Sequence, residues 1–213
     1  ETHARDGYRV DPEALEAKVT PRTRALILCS PSNPTGAAYS EDALRAIAEV
    51  ARRHAFWVIT DEIYGQLVYD NFVQRSILEI APDLKDRIVV VDGVSKSYAM
   101  TGWRIGWILA PKSVAKACDT IQSQSTTNPA AVCQHAAVAA LNGPQQCVQE
   151  MRGRFAERRQ FFIAELDRIP GLQCRVPDGA FFAFASVEGL VGRRAKGVTL
   201  EDDVAVTQFL LES

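Results

Sequence analysis

The feature that most limits what this chain can fold into is a series of apolar runs too short to be helices. RALILCS at 24–30, FWVIT at 56–60, RIVVVD at 87–92 and RIGWILA at 104–110 are almost wholly apolar and rich in β-branched residues. A strand without a polar face has to be covered on both sides, which is the condition of a mostly parallel sheet with helices on both faces. SEDALRAIAEVARRH at 40–54 supplies a helix between the first two runs, with Ser40 as its cap and Glu41 and Asp42 in its first turn. The pattern is helical again from Pro111 to about Leu141, and after the Asn142-Gly143-Pro144 break a long amphipathic stretch runs over 145–169. Beyond it the character changes. LQCRV and AFFAFAS read as two strands around Pro177-Asp178-Gly179, and LEDDVAVTQFLLES reads as a terminal helix. The expected organisation is α/β over residues 1–150 and the start of a smaller α+β region over 151–213. With no initial Met and no capping residue after its last helix, the chain reads as truncated at both ends.

Charge and residue counts exclude several classes. The 24 basic and 26 acidic residues leave a net charge of -2, so nothing global calls for nucleic acid or an anionic membrane, and any bound anion has to be gripped locally. No apolar run approaches a transmembrane length and the first residues lack signal-peptide order, so the expected compartment is the cytoplasm. The five cysteines are odd in number, widely spaced and set in apolar or helical stretches, and read as buried free thiols. Three histidines without ligand spacing provide no metal site. GxSxG, the P-loop and GxGxxG are all absent.

The polar residues fall in a telling place. SPSNPTG follows the first run, DEIY the second and DGVSKS the third, so each lies past the carboxyl end of an expected strand. Ligands bind at that edge of open α/β sheets, and Asn33, Asp61, Tyr64, Ser95 and Lys96 can therefore converge on one crevice. Taken singly, each piece has a plainer reading: Asn-Pro-Thr-Gly as a turn, Asp61-Glu62 as a helix entry, Lys96 as a solvated lysine, Arg104 as an outward arginine before a strand. The clusters Arg158-Arg159 and Arg193-Arg194 read as solvated faces.

In order and spacing, NPTG at 33–36, DEIY at 61–64, SK at 95–96 and GWRIG at 102–106 resemble the fold-type I, pyridoxal-phosphate-dependent class I and II aminotransferases. VVVDGVSKSYAMTGWRIGWILAP is the densest part and is most similar to the bacterial aspartate aminotransferase branch. Similarity extends over nearly the whole chain.

The resemblance implies that residues 1–150 are part of a large pyridoxal-phosphate-binding domain. It places the cofactor's Schiff base on Lys96, which also serves as acid–base, and the partner of the pyridinium nitrogen on Asp61. Asn33 and Tyr64 become donors to the phenolic oxygen, and Ser95 and Arg104 become phosphate ligands. Gly93 stands where many relatives carry another phosphate-binding serine. The implied reaction is transamination between aspartate and 2-oxoglutarate by a homodimer, with TTNPAA at 126–131 approaching the partner's site. Aromatic amino acid or prephenate aminotransferases share the same motifs. The substrate-carboxylate ligands are expected outside the chain. Two further readings remain open: a ligand-sensing domain of a transcription regulator that keeps the cofactor without turnover, and an inert scaffold.

Overall fold

The computed structural model describes residues 2–213. In chain order the elements are α1 (Pro12–Glu16), β1 (Ala25–Cys29), α2 (Glu41–His54), β2 (Trp57–Asp61), α3 (Ile77–Ile80), β3 (Ile88–Gly93), α4 (Val94–Ser97), β4 (Gly106–Leu109), α5 (Lys112–Ser125), α6 (Ala131–Asn142), α7 (Gln146–Asp167), β5 (Gln173–Cys174), β6 (Ala185–Ser186), β7 (Arg194–Ala195), β8 (Val198–Thr199) and α8 (Asp203–Glu212).

The central sheet has the order β1-β2-β3-β4, and its first three strands are parallel. Strand alternation sends Leu26, Leu28, Val58, Ile88 and Val90 to one face, where they meet Leu44, Ile47, Ala48 and Ala51 of α2. The helix forms there because its apolar residues recur at helical spacing. Ser40 Oγ caps it by accepting a hydrogen bond from Ala43 N at 3.3 Å, an arrangement worth about 1 kcal/mol. Ile27, Ile59 and Val89 line up on the opposite face, with Ile27 exposed at the edge strand.

Several details differ from the sequence reading. The RIGWILA strand begins only at Gly106 and runs antiparallel to β3. Arg104 has a left-handed backbone with φ 54°, so the chain turns back there instead of crossing over a helix. AFFAFAS is not a full strand: only Ala185 and Ser186 pair, with Gln173 and Cys174. Ala180, at φ 59°, breaks the extended run. The β7–β8 hairpin around Lys196-Gly197 was not expected. All five cysteines are free, but Cys118 and Cys147 are exposed and only Cys174 is buried.

The largest departure is Arg159, which is buried rather than solvated. From α7 its guanidinium donates to both carboxylate oxygens of Asp70 at 2.8 Å and to Pro177 O at 2.8 Å. It also lies over the Tyr69 ring, 4.6 Å from the centroid. The Tyr69 hydroxyl in turn donates to Ala180 O, and burial pushes that phenol up to about 12. One side chain thus joins the long helix to the 68–70 and 177–180 segments. Among the described residues no helix is long and apolar enough to cross a membrane.

Arg159→Ala is expected to lower unfolding stability by about 2–4 kcal/mol, because Asp70 and Pro177 O lose their donor and the Tyr69 ring loses its cation together. Asp70→Ala should cost less, since the Asp70 side chain is 67% exposed. Urea denaturation of both variants checks the order.

Candidate functional site

The parallel register places the carboxyl ends of three strands side by side. Cys29 pairs with Asp61, and Asp61 with Val91. Two backbone bonds continue the ladder just past the strands: Ser30 N donates to Asp61 O at 3.0 Å and Glu62 N to Val91 O at 2.9 Å. The three polar loops consequently leave the sheet at one edge. Asp61 lies on the face opposite α2, with Ile59 and Cys29, and its Oδ1 accepts a hydrogen bond from Ile63 N at 3.1 Å. Its other carboxylate oxygen stays open to a further donor.

Tyr64 is buried one turn further on. Burial raises its phenol above the ordinary range, the nearby Cys29 and Asp61 add to this, and the adjacent Asn33 side chain opposes it. At neutral pH Tyr64 is therefore an uncharged hydroxyl that can donate. Lys96 Nζ stands 6.0 Å from the centroid of the Tyr64 ring. Asn33, Asp61, Tyr64 and Lys96, 63 residues apart in sequence at most, thus share one edge of the sheet. Cys29, also at this edge, is held as a neutral thiol chiefly by burial, and its Sγ donates to Pro31 O at 3.3 Å.

The NPTG loop is fixed from below. Gly36 has φ 65°, and a Cβ there would lie 2.3 Å from Pro177 Cβ. Gly36 O accepts from Asp178 N at 3.0 Å and Gly179 N at 2.9 Å. Asp178 in turn receives Arg9 Nη2 at 2.7 Å and Arg175 Nη1 at 3.2 Å. Asn33 is presented from this clamp.

Ser95 and Lys96 belong to α4, directly after β3. Val94 N donates to Ile105 O at 3.4 Å, so the residues flanking this contact, Ser95 and Arg104, lie where β3 ends and β4 begins. Arg104 is exposed, and its Nη1 donates to Thr101 O at 2.9 Å, leaving the other guanidinium N–H groups for a ligand. Among the described residues no hydrogen bond joins Arg104 to Ser95. Gly93 has an extended backbone, so space rather than φ demands glycine: a Cβ would meet Ile105 O at 2.7 Å and Gly106 Cα at 3.0 Å.

Sequence reasoning missed the aromatic wall beside this edge. Tyr64 makes edge-on contacts with Phe181 and Phe182, at centroid distances of 5.5 and 5.6 Å, and Phe181 stacks on Phe155 of α7 at 5.2 Å. The density of phenylalanine in GAFFAF was the available signal. Among the described residues no cluster of His, Cys, Asp and Glu could hold a metal.

The whole chain, residues 1–213, matches the family model described as aminotransferase class I and II. The chain belongs to that family. This aminotransferase chain is 44% identical over 208 residues to an aspartate/prephenate aminotransferase of Cereibacter sphaeroides, covering 97% of the chain and 52% of that protein. It is 44% identical over 211 residues to an aspartate aminotransferase of Rhizobium meliloti, covering 98% of the chain and 52% of the relative. The crystal structure of the Rhizobium meliloti aspartate aminotransferase superposes with a TM-score of 0.96, at 44% identity over 99% of this chain and 53% of that one. An aromatic aminotransferase structure from Pyrococcus horikoshii superposes with a TM-score of 0.83, at 36% identity over 86% of this chain and 49% of that one. The chain spans about half the length of the curated relatives it matches.

Gly93→Ser is expected to destabilise the chain by about 1–3 kcal/mol, because backbone atoms occupy the space nearest the new Cβ. The added hydroxyl should not strengthen anion binding. Thermal melting and a phosphate-ester titration check both; a variant that melts with the parent would show that the β3–β4 junction yields freely.

Proposed function

We propose that the protein is a pyridoxal-phosphate-dependent aminotransferase that exchanges the amino group between aspartate and 2-oxoglutarate. The observation that carries this reading is the convergence of Asn33, Asp61, Tyr64 and Lys96 on one sheet edge. The donor set fits the cofactor's chemistry: an amine for the aldehyde, a carboxylate for the ring nitrogen, a neutral phenol and an amide for the phenolic oxygen, and a hydroxyl and guanidinium for the phosphate.

When bound, pyridoxal phosphate supplies an aldehyde that takes up amino groups and a ring that withdraws electrons from the substrate carbon. The chain's own residues do the rest. Lys96 Nζ would hold the aldehyde and, as a free amine, would carry the proton removed from the amino acid Cα. Asp61, with one carboxylate oxygen occupied by Ile63 N, would use the other to keep a proton on the ring nitrogen. The Tyr64 hydroxyl and the Asn33 amide would donate to the phenolic oxygen. Arg104 offers a planar pair of N–H groups to the phosphate, and Ser95 offers one hydroxyl. The proposed assembly is a homodimer acting on free amino acids and 2-oxo acids in the cytoplasm.

A second reading, in which the substrate is aromatic or prephenate, draws support from the Tyr64–Phe181–Phe155 wall and from the names of the Cereibacter and Pyrococcus relatives. Comparing kcat/KM for aspartate, phenylalanine and glutamate in the intact protein separates the two.

Lys96→Ala is expected to reduce kcat by at least about a thousandfold while leaving the melting temperature near the parent's, since Lys96 lies outside the core. An active variant overturns the mechanism. Asp61→Ala should lose almost as much rate, and Asp61→Glu should retain more than Asp61→Ala, because only a carboxylate can hold the ring proton. Steady-state kinetics at saturating cofactor measure this series.

A further inference from the structure

Asp92 precedes Lys96 by four residues and takes no part in the mechanism above. Alternation along β3 puts it on the α2 side of the sheet with Ile88 and Val90, whereas Asp61 points from the other face of the neighbouring strand. Asp92 Oδ1 accepts a hydrogen bond from Gly93 N at 2.6 Å, at the point where β3 gives way to α4. Its side chain joins Glu62, Gln74, Ser76, Glu79 and Arg152 in the wall of a cleft of about 430 Å³ beneath the sheet edge.

The charged and titratable groups facing this carboxylate come from every neighbouring element. Asp61 and Glu62 lie at the end of β2, Glu79 on α3, Tyr98 just after α4 and Arg152 on α7. From β4 the register partner is the uncharged Trp107. Burial raises Asp92 above the ordinary carboxylate range; the Gly93 N–H opposes this, and the Asp61 charge adds to it. Glu62 is raised by the same burial, against hydrogen bonds from Ser76 at 2.8 Å and Thr60 at 3.2 Å.

We propose that Asp92 is a positioning residue of the Lys96 site: its carboxylate pins the turn that presents Ser95 and Lys96 and sets a second negative charge behind Asp61. The proposal rests on the functional reading above. The turn has to be held because α4 is only four residues long and Lys96 sits in its third position. The charge matters because Asp92 follows Val91, the register partner of Asp61, so the two carboxylates stand on neighbouring strands.

Two variants separate the roles. Asp92→Asn keeps the acceptor oxygen and the volume but removes the charge, whereas Asp92→Ala removes both. In the intact protein the absorbance of bound pyridoxal phosphate is followed against pH, its Kd is measured by titration, and melting is recorded without cofactor at pH 3 and pH 8. Asp92→Asn is expected to move the spectral midpoint down by about 0.5 pH unit, the size of one screened charge across neighbouring strands, with Kd changed less than about threefold. Asp92→Ala is expected to weaken binding by at least about tenfold as the turn loosens. An acid whose folded pKa is raised is destabilising once ionised, and this penalty grows as pH rises through that pKa. The melting advantage of Asp92→Asn over the parent should therefore be larger at pH 8 than at pH 3, below the ordinary carboxylate range. An unmoved midpoint in Asp92→Asn, or an equal melting difference at both pH values, overturns the role of the charge. Full affinity in Asp92→Ala overturns the pinning of the turn, and if that variant does not fold, the Asn variant alone decides. A parent that shows no cofactor band removes the functional reading itself, and this proposal with it.

Discussion

Everything at the candidate site depends on the in-line pairing of β1, β2 and β3. Because all three strands are parallel and end level with one another, the chain leaves the sheet three times at the same edge. The bonds from Ser30 N to Asp61 O and from Glu62 N to Val91 O carry that alignment beyond the strands, so the loops start from fixed points. A slip of one residue between β1 and β2 would move Asp61 to the α2 face beside Leu26 and Leu28 and turn Val58 out of the core. The apolar row against α2 prevents that slip. The packing that stabilises the sheet and the geometry that gathers the polar residues are thus the same constraint.

Below the edge, two polar clamps hold what the sheet does not. Gly36, Asp178 and Arg9 fix the loop that presents Asn33, and Arg159 fixes α7 to the segments on either side of the aromatic wall. Both join stretches more than 80 residues apart, and both use arginine, whose planar fork can satisfy several acceptors at once. The Tyr64–Phe181–Phe155 contacts lie between these clamps and connect the neighbourhood of Lys96 to the long helix by ring packing alone.

The strands and the capped helix α2 were legible because local pattern decides them. A run such as IVVV has few other ways to bury itself, and Ser40 with two acids behind it marks a helix start. The convergence of Asn33, Asp61, Tyr64 and Lys96 was legible for a related reason: polar residues directly after buried strands have to emerge at an edge. What could not be read depends on distant partners. Nothing near Arg159 in sequence reveals Asp70, Tyr69 or Pro177, so a charged pair on a helix looked solvated. The direction of β4 turns on the backbone of Arg104, a residue type that seldom marks a left-handed turn. AFFAFAS has the composition of a strand, but its phenylalanines pack with Tyr64 and Phe155 instead of forming a ladder, a tertiary choice that overrides propensity.

The left-handed conformation at Arg104 also sets stability against use. A non-glycine residue at φ 54° costs the folded state about 1 kcal/mol that glycine would recover. Selection for heat resistance alone would therefore favour losing an exposed guanidinium at this edge. Arginine at such a position answers a demand made on the side chain rather than on the fold, and thermostabilised versions of the protein would have to gain their margin elsewhere.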